Sequence, residues 1–157
     1  GACVGGGVDL VTACDIRLAA EGAILSVRET KMGLAADIGS LQRLPKVLTA
    51  GHVAELVYTG KDIDAERARA IGLVNDVYPD QDALMRAANA LADEIAANAP
   101  LAVRGSKFML RHAEDLTTEQ SLLLNNLWTA ATNLPSNDMA EAIKAFMEKR
   151  APEFTGT

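Results

Sequence analysis

The sequence predicts a mixed α/β fold for the first part of the chain and a helical region for the second. Two short apolar segments of strand-like composition follow a glycine-rich start, whereas beyond residue 80 apolar residues recur at helical spacing. A length of 157 residues is within the usual size of one domain. We therefore expect an α/β core over residues 1–78 and a helical region over residues 79–157.

The α/β part begins with a short apolar helix that follows Gly5-Gly6-Gly7. Glycines at a helix start let another group approach the free backbone N–H groups closely. Residues 16–19 and 23–27 then have the composition of two short strands, and Glu21-Gly22 supplies the turn between them. A loop rich in glycine and charge follows over residues 28–39, and functional side chains tend to concentrate in such segments.

Helical patterns dominate the remainder of the chain. Asp64 is a predicted N-cap, and Gly72 is a predicted helix stop. Thr117 and Gln120 have the spacing of a capping box. A short helix from residue 40 is expected to end before Pro45, because proline disfavours a helical residue before it. The other predicted elements are helices at residues 50–58, 65–71, 82–98 and 100–111, and a strand at 73–78. The helix that follows Thr117 continues through Ala131 and is broken by Pro135-Ser136-Asn137, and a last helix has Met139, Ile143, Phe146 and Met147 on one side.

Composition restricts the classes of function. The net charge is −6, which disfavours non-specific nucleic-acid binding because that binding needs a basic surface. Cys3 and Cys14 have no C-x-x-C spacing and no histidine cluster beside them, so we expect two reduced, buried thiols. No 18-residue apolar run, secretion signal or Ser-Lys-Leu ending is visible in the sequence. These features predict a cytoplasmic protein that has no membrane-spanning segment.

Three carboxylates stand out near the glycine-rich start. Asp9 lies in an otherwise apolar helix, Glu29 follows a predicted strand, and Asp37 lies among apolar neighbours. A carboxylate in apolar surroundings holds its proton more tightly, which suits a general acid or base near neutral pH. Spacing alone leaves open that each carboxylate only caps a helix or forms a salt bridge. A shared site requires the three side chains to converge on one cavity beside the amide of Gly6.

Several segments, in a fixed order, resemble the crotonase superfamily of enoyl-CoA hydratases and isomerases. Residues 5–10, followed by Ala13-Cys14-Asp15-Ile16-Arg17, are similar to the signature helix of this family. Further matching segments are Leu41-Gln42-Arg43-Leu44-Pro45, Thr59-Gly60-Lys61, Asp64-Ala65-Glu66-Arg67-Ala68, Gly72-Leu73-Val74 and Ala145-Phe146-Met147-Glu148-Lys149-Arg150. The resemblance covers essentially the whole chain.

The resemblance implies an α/β fold of the crotonase type, a spiral of β-β-α units followed by a C-terminal helical region. The matching segments belong to the C-terminal part of the family's chain, so the N-terminal part of the fold is expected to be missing. The chain also opens at Gly1 without an initiator methionine, as expected of a polypeptide that begins inside a domain. The family's second oxyanion donor is expected upstream of these residues.

The carboxylates distinguish groups within this family. Enoyl-CoA hydratases typically have glutamate at the positions matching Asp9 and Glu29, and glycine at the position matching Asp37. Dienoyl-CoA isomerases have Asp, Glu and Asp at these positions, as this sequence does. The resemblance therefore implies an isomerase of fatty acid β-oxidation that converts a 3,5-dienoyl-CoA to a 2,4-dienoyl-CoA. It implies Glu29 and Asp37 as the proton-transferring pair, Asp9 as a polar neighbour, and the N–H of Gly6 as an oxyanion donor.

The resemblance also implies the partners of the chain. The substrate is an acyl-CoA thioester, and the proton shuttle needs no metal or redox cofactor. Family members usually form trimers or hexamers through the helical tail, and the apolar stripe of residues 122–128 suits such burial. Two alternatives stay open: a 2-enoyl-CoA hydratase that uses Asp9 and Glu29, and a non-catalytic subunit that binds acyl-CoA or a partner. Arg43 and Lys46 are interpreted as ordinary surface charges, with CoA phosphates as the other possibility.

Overall fold

The computed structural model describes residues 1–157, and these residues form two compact units. The N-terminal unit is Gly1–Ala88 and the C-terminal unit is Asn89–Thr157. No helix in either unit combines the length and the apolar character needed to cross a lipid bilayer. The functional division at residue 78 stays a prediction, because a compact unit is defined by its packing and not by its role.

Five short strands form two separate sheets in the N-terminal unit. The strands are β1 (Ala2–Val4), β2 (Leu18–Ala20), β3 (Ile24–Ser26), β4 (Ile63–Asp64) and β5 (Asp76–Tyr78). Strand β3 pairs in parallel with β1 and antiparallel with β4, whereas β2 pairs in parallel with β5. The two strands predicted around Glu21-Gly22 are therefore present, but they belong to different sheets. Strand β1 has no predicted counterpart, because three residues are too few to show a period of two.

Eight α-helices account for most of the chain. They are α1 (Gly6–Thr12), α2 (Ser40–Val47), α3 (Ala50–Thr59), α4 (Ala65–Ala70), α5 (Gln81–Ala96), α6 (Pro100–His112), α7 (Thr118–Trp128) and α8 (Asn137–Glu148). The predicted caps are confirmed. The Asp64 carboxylate accepts the N–H of Arg67 at 2.7 Å, and Thr117 and Gln120 form the reciprocal capping box of α7. Short-range sequence rules therefore locate these helix starts.

Helix α2 contradicts the prediction at its C-terminal end. The helix was expected to end before Pro45, but it continues to Val47 with Pro45 inside. A proline within a helix costs about 3 kcal/mol, since it removes one backbone hydrogen bond. Leu44 is fully buried and Leu48 is 6% exposed, and the N–H of Leu48 donates to the Leu44 carbonyl at 2.8 Å. Burial of these two leucines offsets the cost of the proline.

Aliphatic side chains build the core of the N-terminal unit. The core residues are Val8, Ala19, Leu25, Val27, Ala36, Leu44, Leu48, Leu56, Val57, Ile63, Ala65, Ala68, Leu73 and Val74. Val8 on α1 is only 1% exposed, and Val27, which follows β3, is 2% exposed. This packing holds α1 and the end of β3 in fixed positions, and both elements contribute to the candidate site.

The C-terminal unit buries few large side chains. Exposed apolar residues of this unit include Leu110, Leu122, Leu123, Leu127, Leu134, Ile143, Phe146 and Met147. The indole of Trp128 stacks on Phe108 with ring centroids 5.0 Å apart, and it packs over Gly105. The predicted helix through residue 131 ends at Trp128, where a π-helical turn, Thr129–Asn133, follows.

The end of the chain packs against the start of α8. Asp138 is 2% exposed, and its carboxylate accepts the backbone N–H groups of Thr155 and Gly156 at 2.7 and 3.0 Å. The Thr157 carbonyl accepts the N–H of Asn137 at 2.7 Å. These contacts connect residues 17 to 20 positions apart, and they fix the last residues as part of the folded unit.

Candidate active site

The first turn of α1 presents free backbone donors at the surface. Gly5 precedes the helix with a φ of 55°, and its N–H donates to the Ser26 carbonyl of β3 at 2.9 Å. Gly6 begins the helix and is exposed. The N–H groups of a first helical turn have no acceptor within the helix, and the helix dipole adds positive potential there. This end of α1 is therefore suited to an oxygen that carries negative charge.

Glu29 lies beside this helix start. It begins a 3₁₀ turn, Glu29–Met32, shortly after β3 ends. Its Oε1 atom would lie 3.0 Å from a Cβ atom placed on Gly5, so only glycine fits there without displacing the carboxyl group. Its Oε2 atom is buried and has no hydrogen-bond partner. Buried polar atoms are usually paired, so the unpaired Oε2 of a carboxyl group that lies close to the start of α1 indicates a group held available for chemistry.

Asp9 is buried and already engaged. The residue is 3% exposed, and its Oδ1 atom accepts the backbone N–H of Ser40 at 2.7 Å. Ser40 is the first residue of α2, so Asp9 satisfies one of the free donors at the start of that helix. The capping interpretation that spacing alone left open therefore describes Asp9, although the capped helix begins 31 residues further along the chain.

Asp37 is exposed and unpaired in the loop between the 3₁₀ turn and α2. It makes no hydrogen bond or ion pair. Its apolar neighbours do not shield it, since Leu34 is 63% exposed and Ile38 is 69% exposed. Only Ala36, at 4% exposed, anchors this stretch in the core. The expectation of apolar surroundings is therefore wrong for Asp37, because residues adjacent in sequence do not bury it.

Arg43 ties this loop to α1. Its Nη2 atom donates to the carbonyls of Asp9 at 2.8 Å and Ile38 at 3.0 Å, and its Nε atom donates to the Thr12 hydroxyl at 3.3 Å. The interpretation of Arg43 as an ordinary surface charge is wrong, because a side chain with three protein acceptors is structurally committed. The sequence shows only a cation on an amphipathic helix, and its acceptors become adjacent only in the folded chain.

The structure places the four predicted residues in two groups. The Glu29 carboxyl group lies against Gly5, the residue before Gly6, at the start of α1. Asp9 and the loop of Asp37 are linked to each other through Ser40 and Arg43, but the carboxyl group of Asp37 contacts neither of the other two.

A cavity of about 480 Å³ lies elsewhere in the N-terminal unit. Its lining includes Cys3, Val11, Cys14, Arg17, Leu84 and Met85. Both cysteines are free thiols, but Cys14 is exposed, so the expectation that both are buried is wrong. None of the four predicted site residues lines this cavity. The cavity is mainly apolar and its lining includes no carboxylate that could transfer a proton, so it lacks the acid–base groups found around α1.

Comparison with known proteins identifies the class to which this arrangement belongs. The enoyl-CoA hydratase/isomerase family matches residues 1–157, and the chain belongs to this family. A crystal structure of an enoyl-CoA hydratase from Bacillus anthracis covers the whole chain with a TM-score of 0.95 and 36% identity, and the chain covers 60% of that protein. The fold is therefore the crotonase fold.

Two curated relatives have a more specific name. The chain is 49% identical over 154 residues to the mitochondrial Delta(3,5)-Delta(2,4)-dienoyl-CoA isomerase of Dictyostelium discoideum, covering 98% of this chain and 52% of the relative. It is 40% identical over 154 residues to the peroxisomal Delta(3,5)-Delta(2,4)-dienoyl-CoA isomerase of Arabidopsis thaliana, covering 98% of this chain and 55% of the relative. The chain spans about half the length of these curated relatives.

The predicted cytoplasmic location is wrong by the same comparison. The relatives are named as mitochondrial or peroxisomal proteins. The prediction used acidic composition, reduced thiols and the lack of a visible address. None of these features reports the compartment, because targeting segments are read separately from the folded domain.

Proposed function

We propose that this chain is part of a dienoyl-CoA isomerase that converts a 3,5-dienoyl-CoA to a 2,4-dienoyl-CoA. The observation that carries the proposal is the unpaired, buried carboxylate oxygen of Glu29, whose carboxyl group lies against Gly5 at the start of α1. The order Asp9, Glu29 and Asp37 and the names of the relatives support the same reaction. The substrate in this proposal is a CoA thioester.

The reaction needs one base and one acid at opposite ends of a diene. A carboxylate removes a proton from C2, and the negative charge spreads over the thioester oxygen and the conjugated carbons. A carboxylic acid then gives a proton to C6, which leaves double bonds at C2 and C4. One carboxyl group gains a proton and the other loses one in each turnover, so water must return them to their starting states. Only protons move, and the proposal therefore requires no metal or redox cofactor.

The geometry supports a division of roles among the carboxylates. Glu29 lies beside Gly5, one residue before the proposed oxyanion donor Gly6, so we assign it to the C2 end of the substrate. Asp37 is exposed and free of partners, and we assign it to the C6 end. Asp9 is occupied by Ser40, so its role is to hold the site together.

The N–H of Gly6 is the proposed donor to the thioester oxygen. Its position at the start of α1 gives it no helical acceptor, and its exposure lets a ligand approach. Loss of one such donor typically raises a reaction barrier by about 2.7–4 kcal/mol. The enolate that forms in this reaction therefore benefits from a fixed donor at this point.

Substitution of the carboxylates in the full-length protein tests the proposal. We expect Asp37→Asn to lower kcat for 3,5-dienoyl-CoA by about 10²–10⁴-fold with little change in acyl-CoA affinity, since it removes a proton donor and keeps the shape. Asp9→Ala is expected to have a milder effect than Glu29→Gln. Unchanged turnover in Asp37→Asn would remove Asp37 from the mechanism, and the reverse order of the other two would contradict their assigned roles.

A 2-enoyl-CoA hydratase is the second candidate, because two of the solved structures with high TM-scores are named as enoyl-CoA hydratases. That reaction would use Asp9 and Glu29 to activate and position water. The engagement of Asp9 with Ser40 disfavours this role. Incubation with crotonyl-CoA distinguishes the two activities, because hydration removes the enoyl absorbance. Turnover of either substrate would exclude a non-catalytic subunit.

We also propose that the helical region after residue 78 mediates assembly into a trimer or hexamer. Leu122, Leu123 and Leu127 on α7 are 57–60% exposed, and apolar surface of this kind is typical of a contact face. A solution molar mass equal to one chain would contradict this proposal.

A further inference from the structure

We propose that Arg43 is a positioning residue that sets the place of Asp37 relative to α1. This inference rests on the proposed function, because Asp37 is assigned there as a proton-transferring group. Arg43 itself does not contact the proposed substrate position. It acts through the backbone of the loop that contains Asp37.

Three consecutive residues after Asp37 are held in different ways. The Ile38 carbonyl accepts from the Arg43 guanidinium at 3.0 Å. Gly39 has a φ of 118°, and a Cβ atom there would collide with the same guanidinium, so the two groups are in close contact. The Ser40 N–H donates to the Asp9 carboxylate at 2.7 Å. The backbone is therefore fixed immediately beyond Asp37.

Arg43 also binds α1. The same Arg43 Nη2 atom donates to the Asp9 carbonyl at 2.8 Å, and Nε donates to the Thr12 hydroxyl at 3.3 Å. Thr12 is 6% exposed and donates to the Val8 carbonyl at 2.8 Å. One planar guanidinium thus joins the loop to the helix whose first turn contains Gly6. A lysine could not reproduce this, because an ammonium group lacks the rigid fork of donors.

The arrangement fixes the backbone and leaves the Asp37 carboxyl group free. Asp37 makes no hydrogen bond, although its neighbours in the loop are held on the C-terminal side by Arg43 and Asp9 and anchored by buried Ala36. A proton-transferring group needs this combination of a set position and an available side chain. A small displacement of such a group, about 1 Å, can cost about 10²-fold in rate.

A kinetic double-mutant cycle in the full-length protein tests the inference. We expect Arg43→Ala to lower kcat for 3,5-dienoyl-CoA by about 10²-fold with little change in KM. In an Asp37→Asn background the same substitution should cost less than about twofold, because its effect passes through Asp37. Arg43→Lys should remain impaired. Three results would each overturn the inference. The first is a double variant whose loss in kcat equals the product of the two single losses, the second is a raised KM with unchanged kcat in Arg43→Ala, and the third is full activity in Arg43→Lys.

Backbone hydrogen exchange supplies a readout that does not depend on activity. The Ser40 amide should exchange about 10-fold faster or more in Arg43→Ala, since the loop opens more often without the guanidinium. Arg69→Ala is the matched control, because Arg69 is an exposed arginine on α4 that pairs with Glu66 and Asp76 and not with the loop of Asp37. If the unsubstituted protein lacks isomerase activity, the proposed function fails. Unchanged exchange of the Ser40 amide in Arg43→Ala separately refutes the role of Arg43 in fixing the loop.

Discussion

The contact between Asp138 and the end of the chain allows a stability prediction worked from individual bonds. The buried Asp138 carboxylate accepts the N–H groups of Thr155 and Gly156. A hydrogen bond to a charged group contributes about 1.5–3 kcal/mol. The lower value applies here, because Thr155 is exposed and its N–H can bind water once released. Asp138→Ala should therefore lower the free energy of unfolding by about 3 kcal/mol.

Urea unfolding of the full-length protein measures this change. Asp138→Asn keeps one carbonyl oxygen as an acceptor and should lose about half as much stability. Asp93→Ala removes the same charge from an exposed position on α5 and is the matched control. The Thr155 and Gly156 amides should also exchange faster in Asp138→Ala. A difference from Asp93→Ala of less than about 1 kcal/mol would refute the reasoning, because two charge-assisted bonds cannot contribute so little when buried.

Two further predictions concern the C-terminal unit. In Gly105→Ala the new Cβ atom would lie 3.0 Å from Trp128 Cδ1. The resulting overpacking should cost about 1–3 kcal/mol of stability, which outweighs the gain of up to about 1 kcal/mol from the higher helix propensity of alanine. The substitution should also alter the fluorescence of Trp128, the single tryptophan of the chain. The control Gly51→Ala meets no atom within 4 Å, and a more stable Gly105→Ala with unchanged fluorescence would contradict this reading. Two hydrogen bonds lower the pKa of Glu141 to about 2: the larger effect comes from the Arg150 side chain and the smaller from the backbone N–H of Glu153. The stabilising contact between Glu141 and Arg150 should be fully present above pH 4.5, the ordinary pKa of a glutamate, and should be lost as the pH falls towards about 2. A carboxyl NMR titration should show this low midpoint, and Arg150→Gln should raise it; a midpoint near 4.5 before substitution would argue against the contact.

Features governed by a few neighbouring residues were predictable. The side chains of Asp64 and Thr117 each accept the backbone N–H of a residue three positions later. Both partners of such a cap are therefore visible in the local sequence. Both strands around Glu21-Gly22 were also found, because β-propensity and turn chemistry are local. The pairing of these strands was not predictable, since each pairs with a segment from a distant part of the chain.

The candidate site divides along the same line. The sequence alone determined the family segments, the Asp9, Glu29 and Asp37 pattern, and the glycine-rich start of α1. Only the tertiary structure decided that Asp9 caps α2, that Arg43 joins the loop to α1, and that Asp37 is exposed. The physical reason is distance along the chain. Residue types and local spacing state which groups are available, but burial and long-range hydrogen bonds depend on segments that become neighbours only when the core packs.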